Sequence, residues 1–362
     1  MLCRPSKLLL VTVALLAGAT LLAGCERWQR YECLIITNTT DKNDVVVSPG
    51  FPTYIRVDQI VAQDPIEPPA AMATADLMWT KVSIAVYGMD QAKAEQAVAA
   101  AITRIEELSG KLNNFAPESE VSLINREAGR RAVELDNDVA AILDQSIRVS
   151  RLTNGAFDVT VGPLTDLWRK SRAKGVLPPE EEIARARELV GWQKLELSGT
   201  APRTLKFARE GMSLDFGGIA KGFGSEEAAK VLARFGVRSA VIACGGNIKV
   251  IGCRPSGKPF RIGIADPAHK PTAEEPQRLR FIVPLSDACI DTSGNYVQFD
   301  MIKGKRYSHI VDPRTGNSIE ALPSVTIVGP DACLCDGLTK GIDVPGVAEG
   351  LKLIERVNKE RK

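Results

Sequence analysis

Hydrophobic residues follow two different spacings along the chain, and the spacings predict its elements. Within 81–86 every second residue is a branched apolar one, which predicts a strand. From Ala92 to Leu108 the apolar residues recur at helical spacing, which predicts a helix. Further helices are predicted at about 136–153, 180–189, 226–235 and 346–357, and strands at about 195–197, 205–207, 239–243, 260–264, 279–285 and 325–328. Because helices and strands follow one another without a regular strand–helix–strand alternation, the pattern favours an α+β fold.

The first 24 residues have the pattern of a targeting segment rather than of a folded element. Arg4 and Lys7 precede an apolar run, Leu8 to Leu22, which no charged residue interrupts. A spanning helix needs about 20 apolar residues, so this run is short for that role. The sequence Leu-Ala-Gly-Cys that ends at Cys25 resembles a bacterial lipobox, in which Cys25 becomes the first mature residue and carries lipid. A plain secretory signal and an uncleaved anchor are the alternatives.

Three regions are therefore predicted: a signal peptide at 1–24, a tether at 25–76 and a folded domain at 77–362. The tether is inferred from polar and proline-rich stretches at 38–44 and 63–69, which show neither spacing. Within it, Val45 to Val47 is predicted to form a short strand. Export and lipidation together place the domain on the periplasmic face of a bacterial membrane; inner and outer membrane both remain open.

Composition excludes some classes of function. The chain has 362 residues, 44% of them hydrophobic and 25% charged, with a formal net charge of +2. This balance gives no basic excess for nucleic acid, and aromatic residues at 5% argue against a base-stacking surface. Six of the eight cysteines lie outside the targeting segment and could pair in an oxidising compartment, without a pattern that selects a pairing. Cys333-Leu334-Cys335 does not have the spacing of a zinc site.

His309 is one of only two histidines, and its surroundings suggest chemistry. The apolar pair Ile310-Val311 leads into Asp-Pro and Thr-Gly turn signals, which places His309 near a strand end beside a loop. A histidine there can exchange a proton near neutral pH. A purely structural histidine is the alternative.

A second segment with candidate chemistry runs from Ser213 to Gly224. It is predicted to end a short strand and open a helix, and its small residues leave backbone N–H groups exposed at the helix start, which suits a phosphate. Lys221 adds a positive charge. The segment is neither a Walker A loop nor a GxGxxG fingerprint, and a tight turn with a surface lysine is the alternative. Further along, Asp291 to Gly294 is predicted to form a polar turn.

Five segments in one order resemble the ApbE family of FAD:protein FMN transferases over about 78–356. They are NGAFDVTVGPL, DFGGIAKGF, TSGNY, YSHIVDPRTG and the later Asp336. The resemblance implies a periplasmic lipoprotein enzyme that cleaves the pyrophosphate of FAD with Mg²⁺, transfers FMN to a Thr or Ser of a target protein and releases AMP. The implied target is a subunit of a membrane redox complex, such as a sodium-pumping quinone reductase.

The resemblance also implies a role for individual residues. His309 is the expected base, and the Asp336 carboxylate and the Gly218 carbonyl are the expected magnesium ligands. The expected FAD contacts are Met78, Phe115, Ala156, Phe157, Asp158, Asp215, Lys221, Ile310 and Thr339.

The chain departs from the family pattern at two positions that bear on the site. Trp79 stands where the family often has Gly, so the pocket near Met78 is expected to be reshaped. Lys340 stands where the family usually has a Thr that ligates the metal, and a protonated lysine cannot ligate magnesium. Two alternatives to transfer therefore remain: a lipoprotein that binds FAD without transferring FMN, and an FAD pyrophosphatase.

Overall fold

A computed structural model describes residues 30–37, 45–48, 55–56, 67–199, 201–269, 278–294, 299–320 and 322–360. The predicted signal peptide and the predicted lipidation site Cys25 lie outside these residues, as do Asn295 and Tyr296 of the TSGNY motif. Among the residues described, none of the helices is both long and apolar enough to cross a membrane.

Strands and helices are mixed along the chain, which confirms the predicted α+β class. The strands are β1 (Glu32–Ile36), β2 (Val45–Val47), β3 (Ile55–Arg56), β4 (Ala71–Leu77), β5 (Thr80–Val86), β6 (Val133–Glu134), β7 (Leu195–Leu197), β8 (Thr204–Phe207), β9 (Ala240–Cys244), β10 (Asn247–Ile251), β11 (Phe260–Ala265), β12 (Leu279–Leu285), β13 (Cys289–Gly294), β14 (Phe299–Ile302), β15 (Lys305–Ser308) and β16 (Ser324–Gly329). The helices are α1 (Gln91–Leu112), α2 (Glu120–Glu127), α3 (Asn137–Leu152), α4 (Gly162–Ala173), α5 (Glu180–Glu188), α6 (Ala220–Arg234), α7 (Ala332–Asp343) and α8 (Val347–Glu360).

One large antiparallel sheet organises the molecule. Its strand order is β2-β1-β16-β13-β10-β9-β5-β4, and every neighbouring pair is antiparallel. Helices α1, α6 and α7 pack on one face, and the small sheet β11-β12-β3 packs on the other. The segment between α1 and α6 adds helices α2 to α5 and the small sheet β6-β8-β7. Helix α4 and the loops of this segment form the opposite wall of the cavity described below.

Strand β1 shows why the sheet is buried on both faces. Cys33 and Ile35 belong to the core under the helices, whereas Leu34 and Ile36 belong to the core under the small sheet. Successive side chains of a strand point to opposite faces, so a continuous apolar run is the expected sequence for a strand covered on both sides.

This strand lies inside the region predicted to be a tether. All five residues of β1 pair with β16 and are almost completely buried. Strand β4, whose first six residues also precede residue 77, pairs with β5. The folded domain therefore draws on residues before the expected boundary, and these parts of 25–76 are not a spacer. The short strand predicted at 45–47 is confirmed as β2, which extends the same sheet.

Two further elements differ from expectation. Asp291 to Gly294, predicted to be a turn, lies in β13 between β10 and β16. Helix α7 was not predicted, because eleven of its twelve residues are buried and it shows no polar face that would reveal the helical spacing. Helix α6 begins at Ala220, six residues before the predicted start.

Candidate functional site

A cavity of about 660 Å³ opens between the helices on the large sheet and helix α4 with its neighbouring loops. Pockets of this size are typical of small-molecule sites. The segments with candidate chemistry contribute to it together, although they are far apart in the sequence. Its lining includes Met78, Trp79, Phe115, Ala156, Phe157, Asp158, Arg169, Arg172, Asp215, Gly218, Lys221, Asp291, Thr292, Ser293, Gly294, His309, Ile310 and Lys340.

The inner wall is formed where the start of α6 meets α7. Asp336 is completely buried, and its Oδ2 accepts the backbone N–H of Gly222 at 3.0 Å. A Cβ at Gly222 would lie 2.2 Å from the carbonyl oxygen of Ala332, so only glycine allows the two helices to approach this closely. An N–H group in the first turn of α6, where a phosphate was expected, therefore binds a carboxylate of the protein itself.

Lys340 occupies the other side of the Asp336 carboxylate. Its Nζ lies 2.7 Å from Asp336 Oδ1, because positions i and i+4 share one face of α7. The same Nζ donates to Thr339 Oγ1 at 3.1 Å. Lys221 Nζ lies 3.7 Å from Asp336 Oδ2. Burial alone would raise the pKa of Asp336, but the two ammonium groups outweigh it and hold that pKa below its ordinary value.

A second buried carboxylate, Asp291 on β13, completes this group of charges. It is 2% exposed and lines the cavity. Burial, and to a smaller extent the neighbouring Asp336, raise its pKa, while Lys340 and Lys221 act in the opposite direction. We call Asp291, Asp336, Lys221 and Lys340 the charge cluster; with all four ionised, its two positive and two negative charges cancel.

The charge cluster does not fit the magnesium ion that the resemblance implies. Magnesium requires free, hard oxygen ligands, but both oxygens of Asp336 already face a lysine or a backbone N–H. The hydroxyl of Thr339 donates to the Asp336 carbonyl at 2.7 Å and accepts from Lys340. Across the described part of the chain, no group of three or more His, Cys, Asp or Glu side chains is placed to hold a metal.

Two further carboxylates in the cavity wall are held by hydrogen bonds. Asp158 Oδ1 accepts from the N–H and hydroxyl of Thr160 at 2.9 and 2.7 Å, and its Oδ2 accepts from Trp192 N–H at 3.0 Å. Burial nevertheless raises its pKa. Asp215 accepts from Gly217 N–H at 2.8 Å and from Thr165 Oγ1 at 2.9 Å. These contacts fix the turns that carry the cavity wall, and they leave less freedom for either carboxylate to reorient toward a ligand.

His309 lies in the bend directly after β15 and borders the cavity, as the strand-end prediction required. The bend is anchored on both sides. Arg172 of α4 donates to the carbonyl of Ser308 at 3.1 Å, and the N–H of Ile310 donates to the Ser308 hydroxyl at 3.1 Å. The half-buried imidazole is thereby held against the cavity by a helix of the opposite wall.

The mouth of the cavity is aromatic. Phe115 and Trp79 are exposed, and their rings meet at an angle of 83° with centroids 5.8 Å apart. The guanidinium of Arg169 lies over the Phe115 ring at 5.3 Å.

The residues expected from the resemblance thus surround one cavity, with two exceptions. Asp336 and Thr339 are completely buried behind Lys340 rather than in the lining. Sequence reasoning did not identify Arg169, Arg172 or Asp291 as part of the site. The two arginines are one helical turn apart on α4, a signal too common to select them. Asp291 begins a polar stretch whose residue types predict a turn rather than a strand.

Comparisons with known proteins agree on one family. The ApbE family model matches residues 78–361. The chain is 31% identical over 259 residues to the FAD:protein FMN transferase of Haemophilus influenzae (70% of this chain, 74% of that protein) and 32% identical over 254 residues to that of Vibrio cholerae (69% and 74%).

Solved structures give the same result. The flavin transferase ApbE from Vibrio cholerae superposes with a TM-score of 0.67 at 29% identity, covering 79% of this chain and 90% of that one. The ApbE protein of Thermotoga maritima superposes with a TM-score of 0.71 at 26% identity, covering 80% and 91%.

Proposed function

Since the chain belongs to the ApbE family, we propose that it transfers FMN from FAD to a protein acceptor. The observation that carries the proposal is the convergence of the family segments on one cavity, with His309 at its edge. The finer parts of the proposal are the acceptor, a Thr or Ser on a membrane redox-complex subunit, and the release of AMP. Attachment to a bacterial membrane through lipid on Cys25, on the periplasmic face, belongs to the same proposal.

The proposed reaction is a displacement at phosphorus. The acceptor oxygen forms a bond to the FMN-side phosphorus, the bridging P–O bond breaks, and AMP leaves with the electron pair of that bond. His309 takes the acceptor's hydroxyl proton, which general-base catalysis requires of a group within hydrogen-bond reach. Arg172, which lines the cavity and lies outside the charge cluster, supplies positive charge for the pyrophosphate.

Magnesium has no step in this proposal, because Lys340 engages the carboxylate that was expected to bind it. The same contact favours a second candidate function, FAD binding without transfer.

One experiment separates the candidates. The domain from residue 26 onward is incubated with FAD and an acceptor peptide that contains Thr, with magnesium or with EDTA. Covalent fluorescent flavin on the peptide together with AMP is the expected result. Bound FAD without AMP would favour the binding protein, and AMP without labelled peptide would favour a pyrophosphatase.

His309→Ala tests the base. Transfer is expected to fall at least about a hundredfold, the lower end for a general base, while FAD binding is retained. The matched control is His269→Ala, since the other histidine does not line the cavity. If His309→Ala kept the wild-type rate of transfer, His309 would not be the base.

A further inference from the structure

Trp79 is held in a backbone conformation that few residues other than glycine adopt. Leu77 and Thr80 pair at the end of the β4–β5 hairpin, so Met78 and Trp79 form its two-residue turn. Their φ angles are +50° and +59°. Hairpin turns of this kind favour Asn and Gly, because positive φ costs other residues free energy.

Packing explains the conformation of Met78 but not that of Trp79. Met78 packs against two hydrophobic cores, and its N–H donates to Ser109 Oγ at 3.2 Å. Trp79, in contrast, is 82% exposed and meets Phe115 through a single edge-to-face ring contact. Strained backbone conformations that packing does not stabilise are found more often at functional sites than elsewhere.

The position of the two rings suggests what they bind. Trp79 and Phe115 line the cavity mouth at nearly a right angle, so together they form a corner. A flat aromatic ring that stacks on one of them presents its edge to the other, and both contacts are favourable for aromatic pairs. Arg172, a cationic residue outside the charge cluster, also lines the cavity and suits a pyrophosphate.

We propose that Trp79 is a binding residue for FAD, stacking on one of its two aromatic ring systems, the isoalloxazine or the adenine, at the cavity mouth. The proposal rests on the proposed function, since it takes FAD as the ligand of the cavity. It adds a contact at a position where a glycine could provide none. The strain at Trp79 is then the cost of holding an indole where the ligand ring lies.

The test compares Trp79→Gly, Trp79→Asn and Trp79→Phe with the wild-type domain by calorimetric titration of FAD. Stacking on an aromatic side chain contributes about 1–3 kcal/mol per base, so Kd is expected to rise about 5-fold to 150-fold in the Gly and Asn variants. Trp79→Phe keeps a stacking face and is expected to stay within about threefold. Phe235→Ala is the control, an exposed aromatic residue outside the cavity lining.

Thermal unfolding of the same variants distinguishes a binding role from a structural one. Gly and Asn tolerate positive φ, so neither variant is expected to lower Tm. A lowered Tm with an unchanged Kd would show that Trp79 serves the fold and would overturn the proposal.

Titrations of FMN, which carries the isoalloxazine, and of ADP, which carries the adenine, identify the ring that stacks. The ligand whose Kd rises in Trp79→Gly carries the ring that contacts Trp79. Suppose that the wild-type domain binds FAD, and that Trp79→Gly and Trp79→Asn bind FAD, FMN and ADP as tightly as the wild type does. The Trp79 proposal then fails, while the proposed function stands. If the wild-type domain binds no FAD, the proposed function fails, and the Trp79 proposal fails with it.

Discussion

Replacing Lys340 by Met tests whether its ammonium is the cation that neutralises Asp336. Met retains the apolar stem and removes the charge, so the carboxylate keeps only the Gly222 N–H at 3.0 Å and the Lys221 ammonium at 3.7 Å. Removing one partner of a buried ion pair costs about 3–5 kcal/mol. Since Asp336 is completely buried but two partners remain, we expect the free energy of unfolding to fall by about 3 kcal/mol.

Urea unfolding of the domain measures this loss, and the chain offers a matched control. Lys352 contacts Glu349 at the same 2.7 Å, but its side chain is 64% exposed. Because exposed pairs contribute little, Lys352→Met is expected to leave the free energy of unfolding nearly unchanged.

A double-mutant cycle separates the ion pair from packing. Asp336→Asn removes the buried negative charge. The double variant with Lys340→Met and Asp336→Asn should therefore lose far less free energy of unfolding than the two single variants lose in sum. A coupling of about 2 kcal/mol or more is expected. A loss below about 1 kcal/mol for Lys340→Met, or losses that simply add, would refute the reasoning.

Lys340→Thr extends the test to magnesium. This variant frees Asp336 Oδ1 and adds a hydroxyl, so it is expected to gain stability when magnesium is added, by about 2.7 kcal/mol at a hundred times Kd. The wild-type domain is expected to gain none. An equal rise in Tm for both proteins would mean that Lys340 does not displace the metal.

Two further predictions concern the fold around the site. Hydrogen bonds from Arg104 and, to a smaller extent, Lys111 lower the pKa of Asp138 to about 2 from 3.8. Asp138 therefore contributes stability that is fully present above about pH 4 and is lost as the pH falls toward 2. Arg104→Met should remove part of this acid-dependent stability, about 1 kcal/mol, because Lys111 remains; equal unfolding-versus-pH curves for the two proteins would contradict it. Gly222→Ala should lower the urea midpoint strongly, because its Cβ would lie 2.2 Å from the Ala332 carbonyl oxygen. The control Gly110→Ala in α1, whose Cβ would have nothing within 4 Å, should raise the urea midpoint slightly. Similar shifts for both variants would count against the close contact between the two helices.

The family segments were recognisable in the sequence because each combines unusual residues in a short stretch. His309, for example, lies between a strand and a turn that local signals mark, and the structure places it there. The long amphipathic helix α1 and strand β5 were predictable for the same reason, since their spacing of apolar residues is visible in the chain itself.

Helix α7 and strands β1 and β13 could not be assigned in this way. Both β1 and α7 are buried on nearly all sides, so neither shows the contrast between a polar and an apolar face. Strand β13 carries Asp-Thr-Ser-Gly, which is typical of a turn, but these residues lie in the middle of the sheet where they line a cavity. Burial, not local preference, decides these elements.

The family, the α+β class and the segments that surround the site could be inferred from the amino-acid sequence, because they depend on residue types and local spacing. The contact of Lys340 with Asp336, the place of Asp291 in the same charge cluster and the strained backbone of Trp79 at the cavity mouth are visible only in the folded molecule. The physical reason is that charge pairing, burial and backbone strain depend on distances between segments far apart in the chain, and those distances exist only after the sheet and its helices have packed together.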